Sequence, residues 1–158
     1  MKNLIIYYSF GGNTKRIAEM LQKTVGGELL EIETAEPYTG SYNEIVDRGQ
    51  REVNSGFMPK LRPLSFDAGE YDKVFLGTPV WWYTYAPAVK SFLHEYELSG
   101  KDVFLFATNG GWLGHTFEDF KKALTSSSVK GEINVRFDEH RLRTSEKEIE
   151  KWALAAVK

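Results

Sequence analysis

Apolar and polar positions fall in blocks along this chain. Leu4-Ile5-Ile6-Tyr7-Tyr8 is a continuous apolar run, the pattern of a strand buried on both faces of a parallel sheet. Ile17, Met20, Leu21 and Val25 then recur at helical spacing, and Gly26-Gly27 ends that helix. Leu29 to Ile32 reads as a short second strand, and VFLGTPVW from Val74 as a third. Ala86-Pro87 opens a helix with the apolar stripe Val89, Phe92, Leu93 and Tyr96, closed by Ser99-Gly100. DVFLFAT from Asp102 is a fourth strand, and Phe117, Phe120 and Leu124 mark the helix after it. EINVRF from Glu132 is a fifth strand. Ser145 to Glu148 has the S-x-x-E form of a capping box, ahead of Ile149, Trp152, Ala153 and Ala156.

Strands alternating with helices predict an α/β domain: a doubly wound, five-stranded parallel sheet with helices on both faces. Residues 1–158 read as a single domain. The irregular region is 35–70. It carries a charged helical pattern (Tyr42, Ile45, Val46, Val53) and prolines at 37, 59 and 63, and reads as an excursion over the sheet.

Composition narrows the function. Hydrophobic residues make up 42 % and charged residues 27 %, the balance of an ordinary globular protein. A net charge of −2 gives no broad electrostatic footprint for nucleic acid. The short basic run HRLR, 140–143, reads as a solvated strand end. Cysteine is absent, which excludes disulfides, thiol catalysis and Cys-held metal clusters, and suits a reducing compartment. No apolar stretch is long enough to span a bilayer, and MKNLIIYYS has neither the length nor the cleavage site of a signal peptide. A cytoplasmic location with no membrane partner is the expectation.

In open α/β sheets, ligands bind beyond the carboxyl ends of the strands, where the strand order reverses. Three loops occupy that edge: SFGGNT (9–14), TPVWWYTYAP (78–87) and TNGGWLGH (108–115). The first suits a phosphate. Its glycines let backbone N–H groups approach an anion at a helix N-terminus, and Ser9, Asn13 and Thr14 offer further donors. It is neither G-x-x-x-x-G-K-[ST] nor G-x-G-x-x-G, so a metal-free monophosphate fits better than a triphosphate or dinucleotide. A plain strand-to-helix turn would look the same. In the second loop, Trp81 and Trp82 point to opposite sides of an extended chain. One can cap the core while the other meets a planar ligand. Gly110 and Gly111 of the third loop leave backbone groups open to a polar ligand edge, and Trp112 is either a stacking wall or a surface aromatic.

At these loops the sequence resembles the flavodoxins. YSFGGNTKRIAE is similar to the family's S/T-x-T-G-N-T phosphate loop, with Gly11 where a hydroxyl residue is usual. YDKVFLGTPVWWYTYAPAVKSFL and LSGKDVFLFATNGGWLG resemble the later loops of the broader flavodoxin-like group. The resemblance implies a flavodoxin-like fold of the short-chain type, strand order 2-1-3-4-5, and FMN as cofactor. It also implies site residues. Ser9, Phe10, Gly11, Gly12, Asn13 and Thr14 would cradle the phosphate. Thr78, Pro79, Val80, Trp81, Trp82 and Tyr83 would flank the ribityl chain and one ring face. Thr108, Asn109, Gly110 and Gly111, with Trp112 and Gly114, would meet the pyrimidine edge.

The expected function is flavin-dependent electron transfer with a redox partner protein or a small electron donor or acceptor. No metal site and no catalytic acid or base is assigned. An NAD(P)H-dependent FMN reductase acting on quinones or other small acceptors is the alternative, and a flavin-free binding protein on the same fold is a second.

Overall fold

The apolar runs become the centre of the molecule. The computed structural model describes residues 2–158. In chain order the elements are β1 (Lys2–Tyr8), α1 (Asn13–Val25), β2 (Glu28–Ile32), α2 (Tyr42–Ser55), β3 (Tyr71–Trp81), β4 (Thr84–Tyr85), α3 (Pro87–Glu95), β5 (Asp102–Asn109), α4 (Thr116–Ala123), β6 (Ser128–Asp138), β7 (Arg141–Leu142) and α5 (Glu146–Ala156). The parallel strands lie in the order β2-β1-β3-β5-β6.

That order is the expected one, but the sheet is not purely parallel. Two short antiparallel strands extend it: β4 folds back on β3, and β7 on β6. Both corrections have one cause. β3 and β6 run past the parallel sheet and reverse in two-residue turns, at Trp82-Tyr83 and Glu139-His140. Trp82 (φ 50°), Tyr83 (φ 70°) and Glu139 (φ 54°) adopt the left-handed conformation there. None is a residue that announces such a turn, so neither hairpin is visible in the sequence.

β1 explains the two-sided burial. Leu4, Ile6 and Tyr8 face a core built with Val89, Phe92, Phe117 and Phe120 of α3 and α4. Ile5 and Tyr7 face a second core with Ile17, Leu21, Ile149 and Ala153 of α1 and α5. Each fully buried Leu, Ile or Phe side chain contributes about 1.5–3 kcal/mol. At the sheet centre, the Phe106 ring lies where a Cβ on Gly77 would stand. β6 shows the alternating burial of an edge strand instead: Ile133, Val135 and Phe137 are buried between exposed neighbours.

The excursion at 35–70 folds as expected. Ser41 caps α2 by accepting from the Glu44 N–H at 3.2 Å, and Gly56 (φ 70°) ends the helix. Ala35 N–H donates to the Lys60 carbonyl at 2.8 Å, and the Ser91 hydroxyl donates to the Pro59 carbonyl at 2.6 Å, which ties both ends of the segment down. The capping box also forms: Ser145 accepts from the Glu148 N–H at 3.1 Å. Among the described residues no helix is long and apolar enough to cross a membrane.

Candidate functional site

The three loops meet at the carboxyl edge of the sheet, and hydrogen bonds join them. Thr14 at the start of α1 and Thr108 at the end of β5 share a hydroxyl–hydroxyl bond of 2.7 Å, and both are buried. The His115 N–H donates to the Tyr83 carbonyl at 2.8 Å, which links the second and third loops. Gly114 (φ 60°) makes that approach possible, since a Cβ there would overlap Tyr83.

In the first loop, Gly11 (φ 84°) and Gly12 (φ 100°) bend the chain from β1 into α1 through conformations that disfavour other residues. The N-cap residue, Gly12, has no side chain with which to cap the helix. Both glycines are exposed, and a Cβ on Gly12 would meet nothing within 4 Å. Among the described residues no protein acceptor takes the N–H groups of Gly11, Gly12 and Asn13. The side chains are less free than the sequence suggests. The Ser9 hydroxyl accepts from the Lys15 N–H at 3.1 Å, and the Asn13 amide donates to the Glu139 carbonyl at 2.7 Å. Thr14 is held inside by Thr108. The remaining donors are the backbone N–H groups at the positive end of α1 and the Ser9 O–H, which only accepts within the protein, a donor set that fits a phosphate.

The second loop departs from the extended chain assumed for it. Trp81 ends β3 edge-on to Tyr8, Phe10 and Tyr38, with ring centroids 6.1, 5.9 and 5.0 Å away. Trp82 lies past the end of the strand, in the turn, and its Nε1 donates to the Val46 carbonyl of α2 at 3.1 Å. A Cβ on Gly49 would come 3.2 Å from Trp81 and 3.8 Å from Trp82, so this glycine seats α2 against both indoles. Each tryptophan thus has a packing role. Trp82 and Tyr83 are 36 % and 49 % exposed, held in a conformation that costs a bulky residue roughly 1–2 kcal/mol. A cavity of about 240 Å³ with a mostly apolar lining opens between Phe10, Val80, Trp81, Trp82 and α2. Thr78 is fully buried: its hydroxyl donates to the Pro79 carbonyl at 2.7 Å and accepts from the Ala86 N–H at 3.1 Å, closing the base of the loop.

In the third loop, Asn109 bridges from Asn134 (2.6 Å) to the Gly111 N–H (2.9 Å). Gly110 and Gly111 are exposed, and Trp112 is 73 % exposed with its ring in solvent.

Sequence reasoning missed several residues that belong to this edge. The β6–β7 turn brings His140 to α1, with Nδ1 3.1 Å from the Asn13 Oδ1. HRLR is exposed at His140, Arg141 and Arg143, as expected of a solvated strand end, and the turn at its start is also hydrogen-bonded to the first loop. His115 Nδ1 lies 2.5 Å from Asp119 Oδ2, which also accepts from the Thr84 hydroxyl at 2.5 Å. Below Trp81, Glu52 is buried, accepting from the Tyr38 hydroxyl (2.5 Å) and Arg48 Nε (2.7 Å). Burial, reinforced by the Glu52 carboxylate, pushes the Tyr38 hydroxyl far above the ordinary tyrosine range. His115–Asp119 and Arg48–Glu52 stand at i,i+4 spacing, which is legible in the sequence, whereas Asn13–His140, Tyr38–Glu52 and Thr84–Asp119 join separate elements and have no local pattern.

Fold and site together define a flavodoxin-like α/β protein: a doubly wound sheet with a glycine-bent loop at its first strand–helix junction and aromatic loops beside it. The sequence model described as Flavodoxin matches residues 2–153, and the chain belongs to that family. A "putative flavoprotein" from Bacteroides eggerthii is 33 % identical, with a TM-score of 0.84 and coverage of 99 % of this chain and 98 % of that one. A flavoprotein from Lactobacillus acidophilus, solved in complex with FMN, is 24 % identical, with a TM-score of 0.75 over 96 % of this chain and 98 % of that one. The oxidised flavodoxin 2 of Bacillus cereus shares the fold at 19 % identity and a TM-score of 0.59, over 99 % and 96 %. Among curated proteins none matches the chain at a significant level.

Proposed function

We propose that this protein binds FMN and serves in flavin-dependent electron transfer. The observation that carries the reading is the first loop. Gly11, Gly12 and Asn13 present backbone N–H groups without a protein acceptor among the described residues, at the N-terminus of α1, with open space beside Gly12. Family membership and the FMN held by the Lactobacillus relative support it.

In this reading the backbone of residues 10–13 holds the phosphate. Phe10, Trp82, Tyr83 and Trp112, the exposed aromatics of the three loops, line the edge available to the ring. Gly110 and Gly111 offer main-chain groups to its polar rim. When bound, the flavin supplies one-electron or hydride chemistry, and the protein tunes it through stacking, ring-edge hydrogen bonds and local charge. The partner is a redox protein or a small electron donor or acceptor that reaches an exposed ring edge. A net charge of −2 provides little long-range steering toward a strongly basic partner.

Titration with FMN and riboflavin tests the reading. Charge-assisted hydrogen bonds contribute about 1.5–3 kcal/mol each, so FMN binds at least tenfold more tightly than riboflavin. Equal affinity overturns it. Anaerobic mixing with NADH or NADPH tests the role: slow, unsaturable flavin bleaching is expected of a carrier, and saturable reduction with repeated turnover on a quinone marks a reductase instead.

A further inference from the structure

The β6–β7 hairpin is fastened to the first loop by its tip. The Glu139 carbonyl accepts from the Asn13 amide at 2.7 Å, and the His140 carbonyl receives Arg16 Nη1 at 3.5 Å. Glu139 adopts the left-handed conformation (φ 54°) to make the turn. The His140 ring comes to lie over Gly11, with its Cε1 4.0 Å from where a Cβ on Gly11 would stand. The loop has no side-chain donor of its own at position 11, and an imidazole from the far end of the sequence occupies the space above it.

The hydrogen bonds also settle which ring nitrogen carries a proton. Asn13 donates through its amide nitrogen to Glu139, so its Oδ1 is the atom facing His140, and Oδ1 only accepts. His140 Nδ1 is therefore an N–H donor. In a neutral imidazole, Nε2 is then a bare lone pair, which repels an anion. Only the doubly protonated ring presents an N–H from Nε2.

From this arrangement we infer that His140 is a phosphate-recognition residue of the flavin site, and that binding a phosphate-bearing flavin draws a proton onto its Nε2. The inference rests on the FMN reading above and goes beyond it. It makes phosphate affinity depend on a residue outside the phosphate loop and on proton uptake. The proton comes from solvent, and no covalent bond changes. The charged groups around the ring are Asp138, Glu139 and Arg141 on the hairpin and Arg16 on α1. Arg16 is shared with Glu146 at 3.9 Å. A bound phosphate would add negative charge beside this mixed set.

The experiment compares FMN and riboflavin affinities of the wild type, His140→Ala and His140→Gln by flavin fluorescence. Isothermal calorimetry in two buffers of different ionisation enthalpy counts the protons taken up. Removing a charge-assisted contact lowers FMN affinity about tenfold or more. In His140→Ala this loss is expected with riboflavin affinity unchanged. His140→Gln keeps a donor but cannot take up a proton, so it recovers part of the affinity and binds FMN without the wild-type uptake. An unchanged FMN-to-riboflavin ratio in His140→Ala overturns the inference. So does a parallel loss for both flavins, which reports only a displaced turn, and so does equal proton uptake in His140→Gln and the wild type. Failure of the FMN reading is distinct: the wild type itself then shows no preference for FMN over riboflavin.

Discussion

The hydroxyls of Thr14 and Thr108 meet at 2.7 Å inside the protein, joining the first turn of α1 to the last turn-side residues of β5. This bond closes the floor of the site from two loops separated by 94 positions. It also makes position 14 unsuitable for probing an anion site with a carboxylate, which would be buried there. A double-mutant cycle is the better measurement. Thr14→Val and Thr108→Val each leave one buried hydroxyl without its partner and are expected to cost about 1–3 kcal/mol. The double variant costs clearly less than their sum in denaturant unfolding; strict additivity means the pair is not coupled.

Gly114→Ala tests the link between the second and third loops. The new methyl overlaps Tyr83 and demands a positive φ of a non-glycine residue. A loss of about 1–3 kcal/mol is expected, together with weaker flavin binding, because the His115–Tyr83 bond cannot form as it stands. Thermal unfolding and flavin titration read the two effects. A fully stable variant with unaltered flavin affinity contradicts this account.

Gly77→Ala tests the core beneath the site. Its backbone conformation suits any residue, but the Phe106 ring occupies the space. The expected cost is about 1–3 kcal/mol, occasionally more. The companion variant Phe106→Leu, which makes room, should recover part of it in the double mutant.

The two tryptophans separate by their surroundings. Trp81→Leu removes a ring packed on Tyr8, Phe10 and Tyr38, and is expected to cost about 2–4 kcal/mol. Trp82→Leu loses the bond to Val46 but leaves a more exposed position. It should cost about 1 kcal/mol in stability and more in flavin affinity. Equal stability losses with no change in affinity would make both residues plain core.

Alkaline pH should destabilise the fold. Burial first, and then neighbouring carboxylates, pushes the Tyr7 hydroxyl up to about 12 and those of Tyr8 and Tyr38 higher still. In the unfolded chain tyrosine ionises near about 10. Above that pH the folded state keeps protons that the unfolded state releases. Stability is therefore complete below pH ~10 and falls as pH rises, by up to ~1.4 kcal/mol per pH unit for each such tyrosine. Tyrosinate absorbance followed alongside circular dichroism should show these rings ionising only as the protein unfolds.

How far the sequence reached follows from the range of the forces involved. A strand buried on both faces must be apolar throughout, so Leu4–Tyr8, Val74–Leu76 and Val103–Ala107 declared themselves, and the helices between them followed from their spacing and caps. The glycine-bent turn from β1 into α1 was equally legible, because Gly11 and Gly12 are needed where they stand for reasons local to the backbone. The hairpins were not. Trp82, Tyr83 and Glu139 take left-handed conformations against their own preference, and only pairing with a returning strand and packing against α2 or α1 holds them there. The use of the side chains was hidden for the same reason. Asn13 and Thr14 read as free donors until the fold gave each a partner, and His140, exposed as its reading within a solvated strand end expects, meets Asn13 across 127 positions only because a turn carries it there. Apolar periodicity is written residue by residue; which polar group meets which is decided only when distant segments come together and each buried or crowded donor must find its acceptor.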